Sequence, residues 1–470
     1  MQHIRPASLK SALMESQTIV RNQKQVYIGL DFGTTFAKLS YEVGPTTTHR
    51  KKTVRFDGGY YLPTVLYFDS GILRFTSTGE FSESIVKFFK YSMVSDELEK
   101  NPHLNALRHQ LSTTPEKLCS AHYLACLLRR AIAIICEREH MVKDAVSWSV
   151  NMGMPVGRSK SPSPQIQPIY DEVLQVAWAW SGSERFVEAV DVHMLDTFYV
   201  EHHLDQNDRL HTVPELYAEL SMYHQDRNVP EGFYTVVDIG GGTVDMAVFF
   251  KSIDPNQGAR IYCIAHEVSS EGIESVVSRI AENARQGIRT KIRNCMLNHM
   301  VDFEKLGLLE SNDPRLSERS RRLILSVKRF RESYGTCLRT AKANKESEMR
   351  DEIKNNGVLK YFVMGGGKSI HFHNQLLRMM IVAQSNAGFA RTEEGDIRKY
   401  LESSANFEVN DDRLLISQML AQPFENIPPL DGRPWDFHPS VKVNWSESPS
   451  GRVTYSEVME DRQREIYGDW

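Results

Sequence analysis

Apolar residues gather in a series of short segments that predict β-strands, and one longer segment has the spacing of a helix. The first strand is predicted at 26–32, followed by a β-rich run at 37–43 that would return as its hairpin partner. Further β-like runs lie at 61–68 and 145–153. Between those two runs, residues 120–139 carry apolar side chains at helical spacing, which predicts a helix buried in the core.

A second hairpin is predicted at 234–250 (YTVVDIGGGTVDMAVFF), with Gly240, Gly241 and Gly242 at its tip. Glycine weakens a strand, because it loses much entropy on ordering and has no side chain to pack. One interpretation is an ordinary tight turn. The other is a ligand that approaches the backbone closely, because a turn of bare N–H groups forms a concavity suited to anions.

The first hairpin repeats the plan of the second, with an apolar strand, an Asp, a Gly, small residues including Thr, and a returning strand. The corresponding residues are Asp31 with Asp238, Gly33 with Gly240, and Thr35 with Gly242 or Thr243. Two copies about 200 residues apart suggest two similar lobes that present their turns to one shared ligand. A third junction between a strand and a run of glycines lies at 361–367 (YFVMGGG).

The chemistry of these turns favours a polyphosphate bound together with a divalent cation. Turn N–H groups bind phosphate oxygens without a basic side chain. Aspartates at the strand ends can hold Mg²⁺ through its waters, because Mg²⁺ dehydrates reluctantly and takes few direct carboxylates. An aspartate near the γ-phosphate can orient an attacking water. The GGGKS segment at 365–369 is not a P-loop, because that motif requires glycine at the position of Phe362.

Composition and charge are those of an ordinary globular protein. The chain has 470 residues, 41% hydrophobic and 25% charged, and its length predicts two or three domains. A net charge of −4 argues against direct binding of nucleic acid or an anionic membrane. The six cysteines form no CxxC pair, so we expect reduced thiols and a cytoplasmic location. No segment approaches the roughly 20 apolar residues that span a bilayer.

Three motifs resemble those of the actin/Hsp70/sugar-kinase superfamily. IGLDFGTT (28–35) resembles the first phosphate motif of that family, VVDIGGGTVD (236–245) the second, and YFVMGGGKSI (361–370) the adenosine motif. They occur in the order that the family has. The segment PELYAELSMY (214–223) is similar to a stretch of Hsp70, so the likeness is greatest to the Hsp70 ATPase domain.

The resemblance implies an α/β protein with the two-lobed actin/Hsp70-like ATPase fold, in which duplicated ribonuclease-H-like domains enclose a nucleotide cleft. The implied divisions are a polar N-terminal extension at 1–25, lobe I at 26–232, lobe II at 233–404, a C-terminal helix returning to lobe I at 405–421, and a tail at 422–470.

The resemblance also implies roles for particular residues. Asp238 would orient or deprotonate the attacking water, beside Glu215 in an acidic ring, and Lys90 or alternatively Lys87 would reach the γ-phosphate. The implied Mg²⁺ residues are Asp31 and Asp245. The residues implied to bind ATP or ADP are Gly33, Thr34, Thr35, Gly240, Gly241, Gly242, Thr243, Gly272, Lys328, Arg329, Gly365, Gly366 and Gly367.

Two departures from the Hsp70 pattern shape the expected function. The arginine that usually follows the adenosine glycines is missing, so Lys328 and Arg329 are assigned as its replacement. The chain also has no room for the peptide-binding domain of a chaperone. We therefore expect a slow Mg-ATPase that acts as a nucleotide-gated switch for an unidentified protein partner. The alternatives are an actin-like filament that self-assembles and, third, a small-molecule kinase.

Overall fold

In the computed structural model of the chain, the described residues extend from 24 to 427 with gaps. They are 24–44, 50–57, 59–76, 84–93, 102–155, 166–184, 188–203, 206–225, 229–230, 232–254, 258–281, 292, 326, 329, 332–337, 358–366, 391–394, 407–409 and 411–427. These residues belong to one compact unit of mixed α/β structure. Lys328, Gly367, residues 1–23 of the predicted extension and residues 428–470 of the predicted tail lie outside them.

Most of the first strands come before the first helix, and the later strands are interspersed with helices. The strands are β1 (Lys24–Phe32), β2 (Phe36–Gly44), β3 (Lys52–Thr53), β4 (Leu62–Pro63), β5 (Val65–Asp69), β6 (Ile72–Phe75), β7 (Ile85–Lys87), β8 (Val146–Met154), β9 (Ala189–Asp191), β10 (Leu210–Pro214), β11 (Gly232–Ile239), β12 (Val244–Asp254), β13 (Gly258–Ser269), β14 (Val358–Met364) and β15 (Arg391–Glu394). The helices are α1 (Phe89–Ser92), α2 (Pro102–Ala106), α3 (Pro115–Arg138), α4 (Ile166–Gly182), α5 (Val192–His202), α6 (Glu215–Gln225), α7 (Ile273–Ile280) and α8 (Leu415–Leu420).

The two larger sheets have the same strand order and the same strand directions. In the first sheet β1 lies between antiparallel β2 and parallel β8, with β3 beyond β2 and β10 beyond β8. In the second sheet β11 lies between antiparallel β12 and parallel β14, with β13 and β15 in the corresponding outer positions. The two hairpins predicted from the sequence are therefore confirmed, and each forms the centre of its own sheet.

The β-like run predicted at 61–68 is divided in the structure. Strand β4 pairs with β2 in the first sheet, whereas β5 belongs to a separate four-stranded sheet of order β7-β5-β6-β9. Thr64 separates the two strands, and its N–H and hydroxyl groups both bind the turn between β1 and β2. The break between β4 and β5 is thus caused by a tertiary contact, which cannot be seen in the local sequence pattern.

Helix α3 is the buried helix predicted at 120–139, and it begins earlier, at Pro115. Among the described residues it is the one helix long and apolar enough to cross a membrane, with a hydropathy of 1.5 over its best 18-residue window. The expectation that no segment approaches that length is therefore wrong. Because 78% of the window is buried inside the protein, packing within the core accounts for its apolar character. The cytoplasmic location stays a prediction.

Helices α6 and α8 pack against elements of both larger sheets. Buried side chains of α6 and α8, such as Leu216 and Leu420, form one cluster with Tyr234 and Phe362 of the second sheet. Helix α8 also lies directly on the first sheet, since a Cβ atom at Gly29 of β1 would overlap the helix backbone. The side chain of Asn151 on β8 donates hydrogen bonds of 2.8 Å to two carbonyl groups at the end of α8.

Candidate functional site

The two central hairpins have the same register. Asp31 pairs with Lys38 across β1 and β2, and Asp238 pairs with Asp245 across β11 and β12. The turns enclosed by these pairs therefore have the same number of residues and correspond one to one. The sequence left open whether Thr35 corresponds to Gly242 or to Thr243. The register shows that it corresponds to Gly242.

The first turn is held from one side by Thr64, which is fully buried. The Gly33 carbonyl accepts a 2.8 Å hydrogen bond from the Thr64 hydroxyl, and the Thr35 carbonyl accepts a 2.9 Å bond from the Thr64 N–H. In a planar trans peptide the next N–H points opposite to the carbonyl. The N–H groups of Thr34 and Phe36 therefore face away from Thr64.

The second turn is held from one side by the start of α7. Its carbonyl oxygens accept hydrogen bonds as follows: Gly240 from Ile273 N–H at 3.1 Å, Gly241 from Glu274 N–H at 2.8 Å, and Gly242 from the Ser275 hydroxyl at 2.7 Å. By the same peptide geometry, three successive N–H groups face away from α7. Successive N–H groups on one side of a turn form a binding concavity for an anion.

The free sides of the two turns meet. A Cβ atom on Gly241 would overlap the Thr35 hydroxyl, and one on Gly242 would lie 3.1 Å from the Thr34 hydroxyl. On the other side of the second turn, a Cβ atom on Gly272 would overlap the backbone of Gly242. A side chain at Gly241 or Gly272 would therefore force its neighbour to move, and one at Gly242 would be tight, in line with the close approach that the glycine run predicts.

Five carboxyl groups and two ammonium groups surround the meeting point. The carboxyl groups belong to Asp31, Glu215, Glu219, Asp238 and Asp245, and the ammonium groups belong to Lys38 and Lys90. Lys38 Nζ donates to Asp31 Oδ2 at 2.6 Å, and Lys90 Nζ donates to Glu215 Oε1 at 2.5 Å. Lys87, the alternative to Lys90, lies with its Nζ 5.0 Å from the ring centroid of Phe88.

The ionisation of this cluster is governed by burial and by mutual repulsion. Burial, followed by the charge of Glu215, raises the pKa of Asp238 to about 6 and that of Asp245 to about 8. Burial and the charges of Asp238 and Asp245 raise the pKa of Glu219 well above its usual value. For Lys38 burial acts to lower the pKa, but the charge of Asp31, its hydrogen bond to Lys38 and the charges of Asp238 and Glu215 together outweigh burial, and the pKa is raised.

Several buried polar atoms of the cluster have no hydrogen-bond partner within the described part of the chain. They are Thr35 Oγ1, Glu219 Oε2, Asp238 Oδ1 and Asp245 Oδ1. Such atoms are costly when unsatisfied, and a polar ligand in the cluster would complete their hydrogen bonds. Among the residues that the structure describes, no group of three or more His, Cys, Asp or Glu side chains could hold a metal ion. A cation here would need waters or phosphate oxygens among its ligands.

The third glycine junction lies against the second hairpin. Gly365 has a φ of +79°, which favours glycine, and a Cβ atom there would overlap Asp238 Oδ1. A Cβ atom on Gly366 would have no neighbour within 4 Å among the described residues. Arg329 Nη1 lies 4.0 Å from Glu271 Oε1, and Glu271 directly precedes Gly272. Gly365 therefore lies against the end of β11, and Arg329 lies close to the residue that precedes Gly272.

Sequence reasoning missed three residues of this site. Lys38 could have been found from the hairpin repeat, because it takes the position of Asp245 in the other copy. Glu219 follows Glu215 by one helical turn on α6, a spacing that puts both carboxyl groups on one face. Thr64 carried no signal of its own, because its role depends on a contact between distant segments.

No protein-family model matches the chain, and no curated protein matches it either. The functional interpretation therefore depends on the geometry of the two hairpins and on the chemistry of the groups around them.

Proposed function

We propose that this protein binds Mg-ATP between its two glycine turns and hydrolyses it slowly, as a member of the actin/Hsp70 type. The observation that carries the proposal is the pair of hairpins with one register, whose turns meet beside a buried cluster of carboxyl groups. A duplicated fold of two ribonuclease-H-like lobes accounts for the shared strand order of the two larger sheets. The same duplicated fold also accounts for a single site that both copies of the hairpin form together.

Phosphate binding would use the backbone of both turns. The N–H groups of Thr34, Gly241 and Gly242 face the meeting point, where an anion would complete their hydrogen bonds. The ammonium groups of Lys38 and Lys90 would offset the phosphate charge, which the five carboxyl groups oppose. The residues fit a hydrated Mg²⁺ held by Asp31 and Asp245, and such an ion would supply charge neutralisation at the phosphates.

Hydrolysis would depend on Asp238. Its carboxylate would orient a water for attack on the γ-phosphorus and accept the proton that the water loses. The new bond joins the water oxygen to phosphorus, and the bond from phosphorus to the bridging oxygen of ADP breaks. Asp238 suits this role because its carboxyl group is buried at the end of β11 and its Oδ1 atom lacks a hydrogen-bond partner among the described residues.

A conformational switch would follow from the contact between the turns. Because the Gly241 backbone lies against the Thr35 side chain, a phosphate chain between the turns requires them to separate. Helices α6 and α8, which pack on both sheets, would carry that change to the surface. An unidentified protein partner that binds only one nucleotide state would then respond to this change in conformation.

The test is direct binding and turnover with the full chain. Isothermal titration with ATP and ADP, each with and without Mg²⁺, should give a saturable heat, and phosphate release should be slow but above that of an Asp238→Asn variant. Absence of binding to ATP, ADP and GTP would overturn the proposal. ATP-dependent pelleting of the protein would instead favour the filament-forming alternative.

A further inference from the structure

We infer that Phe88 is a positioning residue for Lys90, because its left-handed backbone directs α1 and its ring holds that conformation in place. The inference rests on the proposed ATPase, in which Lys90 reaches the γ-phosphate, and deepens it. Phe88 is the single residue between β7, which ends at Lys87, and α1, which begins at Phe89. Its φ is 64° and its ψ is 10°, so its backbone lies in the left-handed region.

The backbone of Phe88 is strained. A side chain in this region crowds the following carbonyl oxygen, which disfavours the conformation by about 5- to 30-fold. Two other non-glycine residues of the described ranges have a positive φ, Ser70 and His140, and both are exposed turn residues. Phe88 is only 3% exposed. Strained residues persist where the surrounding structure holds them, so the contacts of the Phe88 ring must offset the strain.

The ring of Phe88 is held between α1 and the second turn. It forms an apolar cluster with Tyr91 of α1, and Lys87 Nζ lies 5.0 Å from its centroid. Tyr91 in turn lies beside the second turn, since a Cβ atom on Gly242 would be 3.4 Å from Tyr91 Cδ2. The left-handed residue is therefore packed towards the turn that the proposal assigns to phosphate.

The same short helix fixes Lys90. The Lys90 carbonyl accepts a 3.0 Å hydrogen bond from the Tyr170 hydroxyl, and the Phe88 carbonyl accepts a 2.9 Å bond from the Ser92 N–H. Lys90 is 4% exposed, and its Nζ atom donates to Glu215 Oε1 at 2.5 Å. Because α1 has only four residues, a rotation about the backbone of Phe88 would displace the whole helix. Lys90 would then leave Glu215 and the meeting point of the turns.

The first test compares Phe88→Gly with Phe88→Ala, which both remove the ring but differ in their tolerance of the left-handed region. Phe88→Gly should be the more stable variant, by at least about fivefold in the equilibrium constant of urea unfolding. Ala133→Gly, at an exposed position of helix α3, is the control and should be less stable than the wild type by about two- to fivefold. A Phe88→Ala variant as stable as Phe88→Gly would overturn the inference.

The second test separates positioning from a general loss of structure. ADP lacks the γ-phosphate, so a displaced Lys90 should weaken the binding of ATP more than that of ADP. In isothermal titration, both Phe88 variants should raise the ratio of the ATP to the ADP dissociation constant at least about fivefold, as Lys90→Met should. Phe68→Ala, which truncates a buried phenylalanine of β5, should lower stability and leave that ratio unchanged. An unchanged ratio in the Phe88 variants would contradict the positioning role.

A third measurement needs no nucleotide and keeps the inference separate from the proposed function. A double-mutant cycle of the mild variant Phe88→Leu with Lys90→Met, followed by urea unfolding, measures whether the ring supports the ion pair with Glu215. Favourable coupling of at least about twofold in the unfolding equilibrium constant is expected. The control cycle of Phe88→Leu with Lys117→Met, which breaks a pair with Glu172 between α3 and α4, should show none.

The outcomes of this cycle distinguish the two claims. Zero coupling between Phe88 and Lys90 would mean that the ring does not position the lysine, whatever the chain binds. A wild-type chain that shows the coupling but binds neither ATP nor ADP would overturn the proposed function and leave the positioning of Lys90 by Phe88 established.

Discussion

The hydroxyl group of Thr35 occupies the space into which a side chain on Gly241 would project. A Cβ atom built on Gly241 would overlap Thr35 Oγ1 and would lie 3.1 Å from Thr35 Cβ. The two residues belong to the two hairpin turns, so this contact joins the copies of the repeated motif at the centre of the candidate site. A side chain at this position would therefore push the two turns apart.

Gly241→Ala should weaken both the fold and the site. The added methyl group meets the β-branched Thr35 side chain, which has little freedom to move aside, so we expect a loss of about 1–3 kcal/mol in the free energy of unfolding. The forced shift of the turn should also lower ATP affinity at least about tenfold, or roughly 1.4 kcal/mol. Urea unfolding and isothermal titration measure the two effects.

Two further variants test whether the contact between the added methyl group and Thr35 causes the losses expected for Gly241→Ala. Gly182→Ala is the control for a glycine substitution, because a Cβ atom there would have no neighbour within 4 Å in the described part of the chain. Thr35→Ala in the Gly241→Ala background removes the hydroxyl and should restore most of the lost stability. If Gly241→Ala unfolds and binds ATP like the wild type, the contact between the turns does not exist in solution.

The pair of Lys38 and Asp31 makes a separate prediction about stability. Lys38→Met would leave the Asp31 carboxylate, 2% exposed, without its 2.6 Å partner, and breaking a buried ion pair in this way costs about 3 kcal/mol. Asp31→Asn in the same chain should recover most of that loss. Lys117→Met, which breaks a half-exposed pair with Glu172, should lower the free energy of unfolding by less than about 1 kcal/mol. Similar losses of unfolding free energy in Lys38→Met and Lys117→Met would contradict a buried ion pair between Lys38 and Asp31.

The hairpins and the core helix could be predicted because their signals are local. Runs of β-branched and aromatic residues on both sides of Gly240 define β11 and β12, and apolar residues at helical spacing define α3. The interruption at Thr64 could not be predicted, because its hydrogen bonds join segments about 30 residues apart that meet only in the folded chain.

The residues of the candidate site also fall into two groups, those that a local sequence pattern predicts and those that only long-range packing brings in. The repeated aspartates and glycines carry their own pattern, and the structure brings Asp31, Asp238 and Asp245 into one buried cluster. Glu219 enters that cluster because α6, after β10 of the first sheet, packs on β12 and β13 of the second. The packing of α6 against the second sheet is a long-range contact, and no local pattern in the helix sequence specifies it.

His122 should make stability depend on pH. Burial lowers its pKa from 6.5 to about 4, although the carbonyl and the charge of Glu188 act in the opposite direction. Between these values the unfolded chain binds more protons at this residue, so its contribution to stability is complete above pH 6.5 and is lost as the pH falls towards 4. The loss between pH 7 and pH 5 should be about 2 kcal/mol.

The comparison with His122→Gln isolates this contribution from the carboxyl groups, whose pKa shifts act in other directions. Gln can still donate to the Glu188 carbonyl, which lies 3.2 Å from His122 Nε2, but it does not titrate. Urea unfolding at both pH values should show the variant losing about 2 kcal/mol less than the wild type on acidification. Parallel losses in the two proteins would mean that His122 does not hold a depressed pKa.

Asp238→Asn separates nucleotide binding from turnover. The substitution keeps the size of the side chain and one acceptor oxygen but removes the charge that would polarise the attacking water. Positioning and general-base assistance are typically worth about 10² to 10⁴ in rate, so hydrolysis should fall at least tenfold. Binding would depend mainly on the turn N–H groups of Thr34, Gly241 and Gly242, which the substitution leaves in place. ATP affinity should therefore change less than about tenfold, or roughly 1.4 kcal/mol.

The same variant should trap the ATP-bound state, because it binds the nucleotide and fails to consume it. Phosphate release, measured beside isothermal titration on the same preparation, gives the rate and the affinity together. Asp171→Asn is a suitable control, because Asp171 is a half-buried carboxyl group that bonds Thr212, away from the turns. It should leave both values near those of the wild type. Hydrolysis by Asp238→Asn at the wild-type rate would remove the second hairpin from the reaction, and the first hairpin would then have to supply the group that orients the water.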